Sequence, residues 1–373
     1  MPLPEDDPAA RIVRAIIQVG PGNYSLLSRL TGIPPETVRY KIKNQLYRRG
    51  VAIHALIDAE KFDLQRFIVM LSFSDSYQSI SKYVLQSLHE LAYLTYYSGQ
   101  LMSKDYYCLF QTPRQYKGQM MEFLDEMVNM GILTSYSLKP IVWVNYLSLR
   151  PEYYDFQEGR WDIDWQALGP GPEVPRLPIP PEYTKNDYDK MDILLAKELA
   201  INSLSTVAEM SKKLNINVKT LQYHYNSHVL GRKMITKYIV RWMGDLESIK
   251  KHRIIYGRIF AKDLSGNQLQ EIRKAFYSVP FTWSEASAGN RDLYMVELAV
   301  PVEHYLYVQY YLNNTLGELA ERLDFKIIDV GNSLAFTIPH ALYDSVAGAW
   351  SFPLDENVKK LQSLREALKH EPA

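Results

Sequence analysis

Residues 27–50, LSRLTGIPPETVRYKIKNQLYRRG, decide the fold of this chain. The stretch ends one short helix, breaks at Gly32-Ile33-Pro34, and starts another at Pro35, where a missing backbone N–H costs nothing. Val38, Ile42 and Leu46 form the apolar face of this helix, and Gly50 ends it. Because an apolar-periodic helix over residues 8–18 precedes it, the order predicts a helix-turn-helix. The next segment, from Val51 to Asp58, predicts a β-ribbon that would form a wing.

The same pattern returns after about 185 residues, a period that indicates a domain duplication. Leu27 to Tyr40 aligns without gaps on Met210 to Tyr223, and a helix over residues 188–200 precedes the second copy. A second anchor closes each copy with identical spacing: Tyr154-Asp155, Gly159 and Trp161 recur as Tyr343-Asp344, Gly348 and Trp350. Packing of these aromatic residues onto a sheet is favoured over a ligand-binding aromatic box.

After each wing the pattern reads strand, helix, strand, strand, helix, strand, which predicts a ferredoxin-like sandwich. The predicted elements are 67–73, 79–91, 94–101, 106–111, 116–129 and 132–144 in copy one, and 254–261, 266–277, 281–286, 293–300, 302–312 and 325–336 in copy two. A charged amphipathic helix is predicted over residues 356–369.

The fold class is therefore predicted as α+β, with two winged helix-turn-helix domains, each followed by a ferredoxin-like (βαββαβ, RAM/ACT-like) domain. The predicted divisions are 1–62 and 188–250 for the winged helices, 63–150 and 251–340 for the ferredoxin-like domains, 151–187 for an extension with a Pro/Gly-rich linker, and 341–373 for a C-terminal extension.

Charge is segregated although the 42 basic and 42 acidic residues cancel. Residues 211–241 hold seven Lys or Arg and no acid, and residues 24–57 hold six against the single acid Glu36. Such local positive fields are what binding to phosphates requires. The pattern predicts two basic patches, one for each helix-turn-helix.

The side chains left on the exposed faces of the third helices suit bases and phosphates. In copy one Thr37, Arg39 and Tyr40 are assigned to base reading and Lys43, Arg48 and Arg49 to phosphate, with Lys41 and Asn44 on the same surface. The corresponding candidates in copy two are Lys219, Thr220, Gln222, Tyr223, His224 and Asn226. A basic face that is merely solvated, or one that binds protein, is the alternative.

These residues resemble the Lrp/AsnC, or feast-famine, family of transcriptional regulators. The resemblance is strongest from Ala10 to Leu71, where the helix-turn-helix runs through Gly50-Val51 into Asp58 to Phe62; the second copy departs from the pattern at Leu230 to Met234. It implies a regulator that binds double-stranded DNA. Because single-unit members pair through their sheets, we expect an internal pseudo-dimer here, with further homo-oligomerisation and a small-molecule effector left open.

Other classes of function find less support in the sequence. Cys108 is the one cysteine, so an intrachain disulfide is excluded, and its apolar surroundings favour a buried hydrophobe. His224 and His228 have metal-ligand spacing but no evident third ligand, so no metal and no cofactor are predicted. With no leader or membrane span recognised, we expect a cytoplasmic protein without a membrane partner. We expect no enzyme; the alternatives are a siroheme-decarboxylase-like tetrapyrrole enzyme of paired Lrp-like units and an architectural DNA-binding protein.

Overall fold

The fold is that of a computed structural model, which describes residues 7–168, 171, 173–177, 186–242 and 253–369, without the side chains of Arg49 and of residues 368 and 369. Residues 7–168 are called the first half and residues 186–369 the second half. Most of the predicted Pro/Gly-rich linker, and the end of the predicted domain 188–250, lie outside the described residues.

Each half begins with three helices. These are α1 (Pro8–Val19), α2 (Tyr24–Thr31) and α3 (Pro35–Tyr40) in the first half. In the second half they are α6 (Lys190–Ile201), α7 (Val207–Leu214) and α8 (Val218–Tyr223). Gly32 ends α2 in the left-handed conformation that glycine adopts without strain, and Asn215 does so for α7. Both third helices then widen into π turns, over Lys41–Leu46 and His224–Leu230.

The segments that follow the third helices are single strands that pair with each other. Strand β1 (Ala52–Ile57) is antiparallel to β8 (Ile235–Arg241), with Ile53 opposite Val240. Helix α1 packs against β8 and α6 packs against β1, so each half supplies a strand to the other half's helices. The predicted separate β-ribbon over Val51 to Asp58 is therefore wrong, because this strand finds its partner in the other half.

A closed antiparallel barrel forms the centre of the molecule. The first half supplies β2 (Leu64–Phe73), β3 (Leu94–Gln100), β4 (Asp105–Pro113) and β5 (Leu133–Tyr146). The second half supplies β9 (Ile254–Lys262), β10 (Thr282–Ala288), β11 (Leu293–Pro301) and β12 (Asp324–Ala335). The order is β10-β11-β9-β12-β3-β4-β2-β5, and β5 closes onto β10. The protein is thus α+β, with one large antiparallel sheet shared by both halves.

Successive side chains of a strand point to opposite faces of the sheet, so the barrel strands contribute to two apolar layers, one under the helices and one inside the barrel. In β2, Phe67, Val69 and Leu71 face the helical layer, whereas Ile68 belongs to a smaller cluster inside the barrel with Tyr107, Phe260 and Met295. The helical layer comprises α4 (Ser81–Ala92) and α5 (Lys117–Asn129) in the first half, and α9 (Gly266–Ser278) and α10 (Val302–Leu316) in the second. These bounds confirm the predicted order of elements in both halves.

The aromatic extensions are exchanged between the halves. Strands β6 (Tyr154–Asp155) and β7 (Arg160–Trp161) form a small hairpin, and Trp161 packs edge-on against Phe281 of the second half with ring centroids 4.8 Å apart. The matching hairpin, β13 (Tyr343–Asp344) and β14 (Ala349–Trp350), places Trp350 on the first half. The repeated tryptophans are buried, as predicted, and they contact residues just before the strands of the sheet, namely Phe281, Phe62 and Tyr93.

Two other sequence expectations concern single features. Cys108 is fully buried, as predicted, and burial raises the pKa of its thiol. The C-terminal helix α11 (Leu354–Lys369) packs against α4 and α5. Among the described residues no helix combines the length and the apolar composition that a membrane crossing requires.

Candidate functional site

The third helix of the first half presents most of its predicted contact residues to solvent. Val38, Ile42 and Leu46 fix the helix against the core. Thr37, Arg39, Tyr40, Lys43 and Arg48 are exposed, and Tyr40 retains 57% of its surface. Lys41 and Asn44 are half-buried, and the Lys41 ammonium donates to Gln45 Oε1 at 3.0 Å. The side chain of Arg49 lies outside the described residues.

The third helix of the second half repeats this arrangement with different chemistry. Lys219, Thr220, Gln222, Tyr223 and Asn226 are exposed, and Tyr223, the counterpart of Tyr40, retains 59% of its surface. Gln222 Nε2 donates to Asn226 Oδ1 at 3.1 Å, so the two amides form one polar row.

His224 departs from its predicted place on this surface. It is only 8% exposed, and its Nδ1 lies 2.9 Å from Oδ1 of Asp192, a fully buried residue of α6. Assignment of His224 to a DNA contact was therefore wrong, because the ring points into the helix–helix contact.

The paired strands β1 and β8 keep the two helical segments side by side. The carboxylate of Glu209, in α7, has its pKa lowered by hydrogen bonds from the Thr206 backbone and side chain, and further by the charge of Lys43 across the boundary between the halves. Lys43 of the first basic surface therefore lies close enough to act on Glu209 of the second half.

A cavity of about 380 Å³ lies between the paired strands and β5. Its wall carries Arg66, Lys237 and Asn145 beside the apolar face of Trp143, with Asp58 and Glu60 at one side. Lys237 donates to Asn145 Oδ1 at 3.0 Å and to the Tyr146 carbonyl. Burial lowers the pKa of Lys237, while Glu285 opposes that shift. The indole N–H of Trp143 is buried without a hydrogen-bond partner among the described atoms. Cationic and donor groups beside an aromatic ring suit an anionic organic ligand.

The barrel interior holds an ion pair that sequence reasoning missed, in which Arg258 is fully buried and the Glu297 side chain is 15% exposed. Arg258 Nη2 lies 2.7 Å from Glu297 Oε1, Nη1 donates to Ser98 Oγ at 3.1 Å, and the guanidinium lies 3.4 Å from the centre of the Tyr107 ring. Ser284 donates to the second oxygen of Glu297 at 2.8 Å. Both charged residues are the fifth in their strands, and the fifth residues of β2 and β4 in the first half, Ile68 and Leu109, are apolar partners. The pair binds second-half strands to first-half side chains.

Comparison with known proteins identifies the fold over the whole length. No family model and no curated protein matches the chain. The solved structure of the siroheme decarboxylase NirDL in complex with an iron-uroporphyrin III analogue is similar over 97% of this chain and 100% of that chain, with 9% identity and a TM-score of 0.56. A second NirDL structure covers 98% of this chain and 100% of that chain at 9% identity and a TM-score of 0.55.

Two of the shorter matches are AsnC and a regulator of the AsnC family. AsnC of E. coli has 13% identity over 37% of this chain and 91% of its own, with a TM-score of 0.29. A Pyrococcus furiosus transcriptional regulatory protein of the AsnC family has 19% identity over 36% of this chain and 87% of its own, with a TM-score of 0.29.

The prediction that the chain is not an enzyme is contradicted by these comparisons, because the solved structures that match it over its whole length are those of an enzyme. At 9% identity the likeness to NirDL shows the fold alone. An α+β fold is what the chain and the two NirDL structures have in common.

Proposed function

We propose that the protein is a sequence-specific regulator of the Lrp/AsnC type that binds double-stranded DNA with both third helices. The carrying observation is the pair of exposed tyrosines at matching positions, Tyr40 and Tyr223, each flanked by exposed residues that can bind bases or phosphate. The proposed units are the helix-turn-helix regions 1–62 and 188–250, which share the β1–β8 pair in place of separate wings, and the ferredoxin-like regions 63–150 and 251–340, joined as an internal pseudo-dimer.

The chemistry of the two surfaces supports unlike half-sites. Arginine pairs bidentately with guanine, whereas glutamine and asparagine pair with adenine. Arg39 is exposed on the first half, and Gln222 and Asn226 are exposed on the second. We therefore expect the first half to prefer G·C pairs and the second A·T pairs, so that the bound site is not a palindrome.

The decisive experiment measures the salt dependence of DNA binding. Replacing Arg48 and Arg49 with alanine should weaken binding to all sequences, because each phosphate contact releases condensed counterions. The slope of log affinity against log salt concentration should fall by about 0.9 for each phosphate that the variant no longer neutralises. Fluorescence anisotropy with a labelled duplex gives this slope at several salt concentrations.

A charge-matched control uses Lys359 and Lys360, two adjacent exposed cations on α11. Their double alanine variant should keep the wild-type slope. Equal slopes for wild type and the Arg48/Arg49 variant would remove these residues from the phosphate contacts, and no measurable affinity of wild type for any duplex would end the proposal.

A second candidate function is binding and decarboxylation of a tetrapyrrole such as siroheme. It is favoured by the likeness to NirDL over 97% of the chain and by the cavity of about 380 Å³, where Arg66 and Lys237 are available to carboxylates of a ligand on the side away from Asp58 and Glu60. The cavity is within the usual range for small-molecule sites, about 300–1,000 Å³, but at its lower end.

Titration with iron-uroporphyrin III tests this second candidate. If the cavity takes the tetrapyrrole, the visible absorption of the ligand should shift, and Lys237→Ala should weaken binding about tenfold or more through loss of a charge-assisted contact. Lys326→Ala, which alters a different cavity, should bind as wild type does. An unchanged spectrum at saturating protein would leave DNA binding alone as the proposal.

A further inference from the structure

Three side chains of metal-binding type meet where α6 contacts the third helix of the second half. Asp192 is the third residue of α6, and His224 and His228 lie four residues apart in the π turn that follows α8. The Nδ1 atoms of both histidines point at one carboxylate: His224 Nδ1 lies 2.9 Å from Asp192 Oδ1, and His228 Nδ1 lies 3.1 Å from Oδ1 and 3.0 Å from Oδ2.

The cluster is enclosed by protein. Asp192 has no exposed surface and His224 is 8% exposed, while His228 lies at the edge of the cluster. Apart from the histidines, the carboxylate accepts a hydrogen bond from the Asp189 backbone N–H at 3.2 Å. A buried carboxylate normally requires a compensating cation or several strong donors. Here the groups nearest to it are two imidazoles, which are neutral metal ligands as readily as they are donors.

We propose that Asp192, His224 and His228 form a binding site for a divalent transition-metal ion of the Zn²⁺ class. Zinc takes nitrogen ligands at about 2.0–2.1 Å and carboxylate oxygen at about 2.0–2.2 Å, which places tetrahedral ligands about 3.3 Å from one another. The contacts of the two histidines with Asp192 differ from the tetrahedral spacing by a few tenths of an ångström, and the donor atoms of all three residues lie within 4.8 Å of one another.

The fourth position is open to water, or to Asp189 if its Oδ1 atom gives up the hydrogen bonds that it accepts from the backbone N–H groups of Met191 and Asp192, at 2.8 and 3.2 Å. Asp189 Oδ1 lies 3.7 Å from His224 Nδ1, and its side chain is 54% exposed. Two imidazoles and one or two carboxylates suit zinc and other borderline metals, and suit Mg²⁺ and Ca²⁺ poorly because those ions prefer all-oxygen sites.

The first half provides an internal comparison. Counted from the helix caps and from the gap-free repeat, the residues that correspond to Asp192, His224 and His228 are Ala10, Lys41 and Gln45. Lys41 and Gln45 hydrogen-bond to each other at 3.0 Å. The first half therefore makes the same helix contact without metal ligands, so the fold does not itself require the cluster.

A bound ion would tie α6 to the helix that presents Gln222, Tyr223 and Asn226. Because Tyr223 contacts both histidine rings, with centroids 5.7 and 5.3 Å away, the metal would fix the part of the helix that faces solvent. This effect on DNA recognition rests on the proposed function, whereas metal binding does not.

The first test is metal binding by the full chain without DNA. Protein stripped with a chelator, loaded with Zn²⁺ and desalted should retain one metal ion per chain by mass spectrometry. Co²⁺ should give the visible absorption of a tetrahedral site. His228→Ala and the more conservative Asp192→Asn should reduce the retained metal to near zero, while Gln45→Ala, the matched change in the first half, should retain one ion.

Two further measurements, Tm and far-UV circular dichroism, distinguish loss of metal binding from loss of the fold. Zn²⁺ should raise the Tm of wild type and Gln45→Ala but not of His228→Ala, whose far-UV circular dichroism should remain that of wild type. Retention of one ion by both His228→Ala and Asp192→Asn, or no retention by wild type, would overturn the site. If metal binds but does not tighten DNA binding, the site stands and its link to DNA is rejected.

Discussion

Replacing Arg258 with alanine should lower the free energy of unfolding by about 3–5 kcal/mol, the usual effect of removing one partner of a buried ion pair. The change would leave Glu297 without the guanidinium that neutralises it, and it would remove the hydrogen bond that Arg258 donates to Ser98. Urea denaturation followed by tryptophan fluorescence would measure the destabilisation as a lower midpoint at unchanged slope.

The first half supplies the control for this prediction. The double variant Arg258→Ile with Glu297→Leu copies the apolar pair Ile68 and Leu109, which occupies the same positions in β2 and β4. Because removal of both charges leaves none unpaired, the double variant should recover most of the stability that Arg258→Ala removes. A double variant as unstable as Arg258→Ala would show that the charges themselves hold the barrel together.

Replacing Trp350 with alanine should cost about 3–5 kcal/mol, because it empties a buried aromatic site. Trp350 is 3% exposed, packs against Tyr93 with ring centroids 6.0 Å apart, and donates its indole N–H to the Phe62 carbonyl at 2.8 Å. Thermal and urea denaturation should both report the destabilisation. Val346→Ala in the same turn, where the side chain is 98% exposed, should change stability by less than about 0.5 kcal/mol.

The regions in which hydrogen exchange becomes faster distinguish the loss of an exchanged extension from the loss of a core residue within one half. Trp350 belongs to the second half but packs on the first, so hydrogen exchange should accelerate around Phe62 and Tyr93 as well as around the hairpin that carries Trp350. Faster exchange confined to the second half would contradict the exchange of extensions between the halves.

The sequence predicts the elements of the barrel well because strand and helix periods are local signals. It does not predict their partners. An alternating apolar strand such as Ala52–Ile57 can pair with any suitable edge, and the choice of β8 over a local ribbon depends on how the two halves meet. For the same reason the sequence does not predict the ion pair of Arg258 and Glu297. Each residue lies in an apolar strand, and only the register between β9 and β11 brings the two together.

The histidines show a limit of assigning helix faces. His224 follows the exposed Tyr223 in the chain but lies three residues after the buried Leu221, a spacing that returns to the same side of a helix. That spacing could have indicated burial. The third ligand could not be found in this way, because Asp192 comes from a different helix 32 residues earlier.

The exchanged hairpins delay the folding of the first half during synthesis of the protein. Phe62 and Trp350, which are joined by a hydrogen bond, are 288 residues apart in the chain, so the first half remains incomplete on the ribosome until the last part of the second emerges. At about 5–20 residues per second, that interval lasts on the order of tens of seconds. During it, the surface around Tyr93 has no cover from Trp350 or Phe352. A nascent chain of this design must therefore be protected from aggregation for longer than two independent domains of the same size.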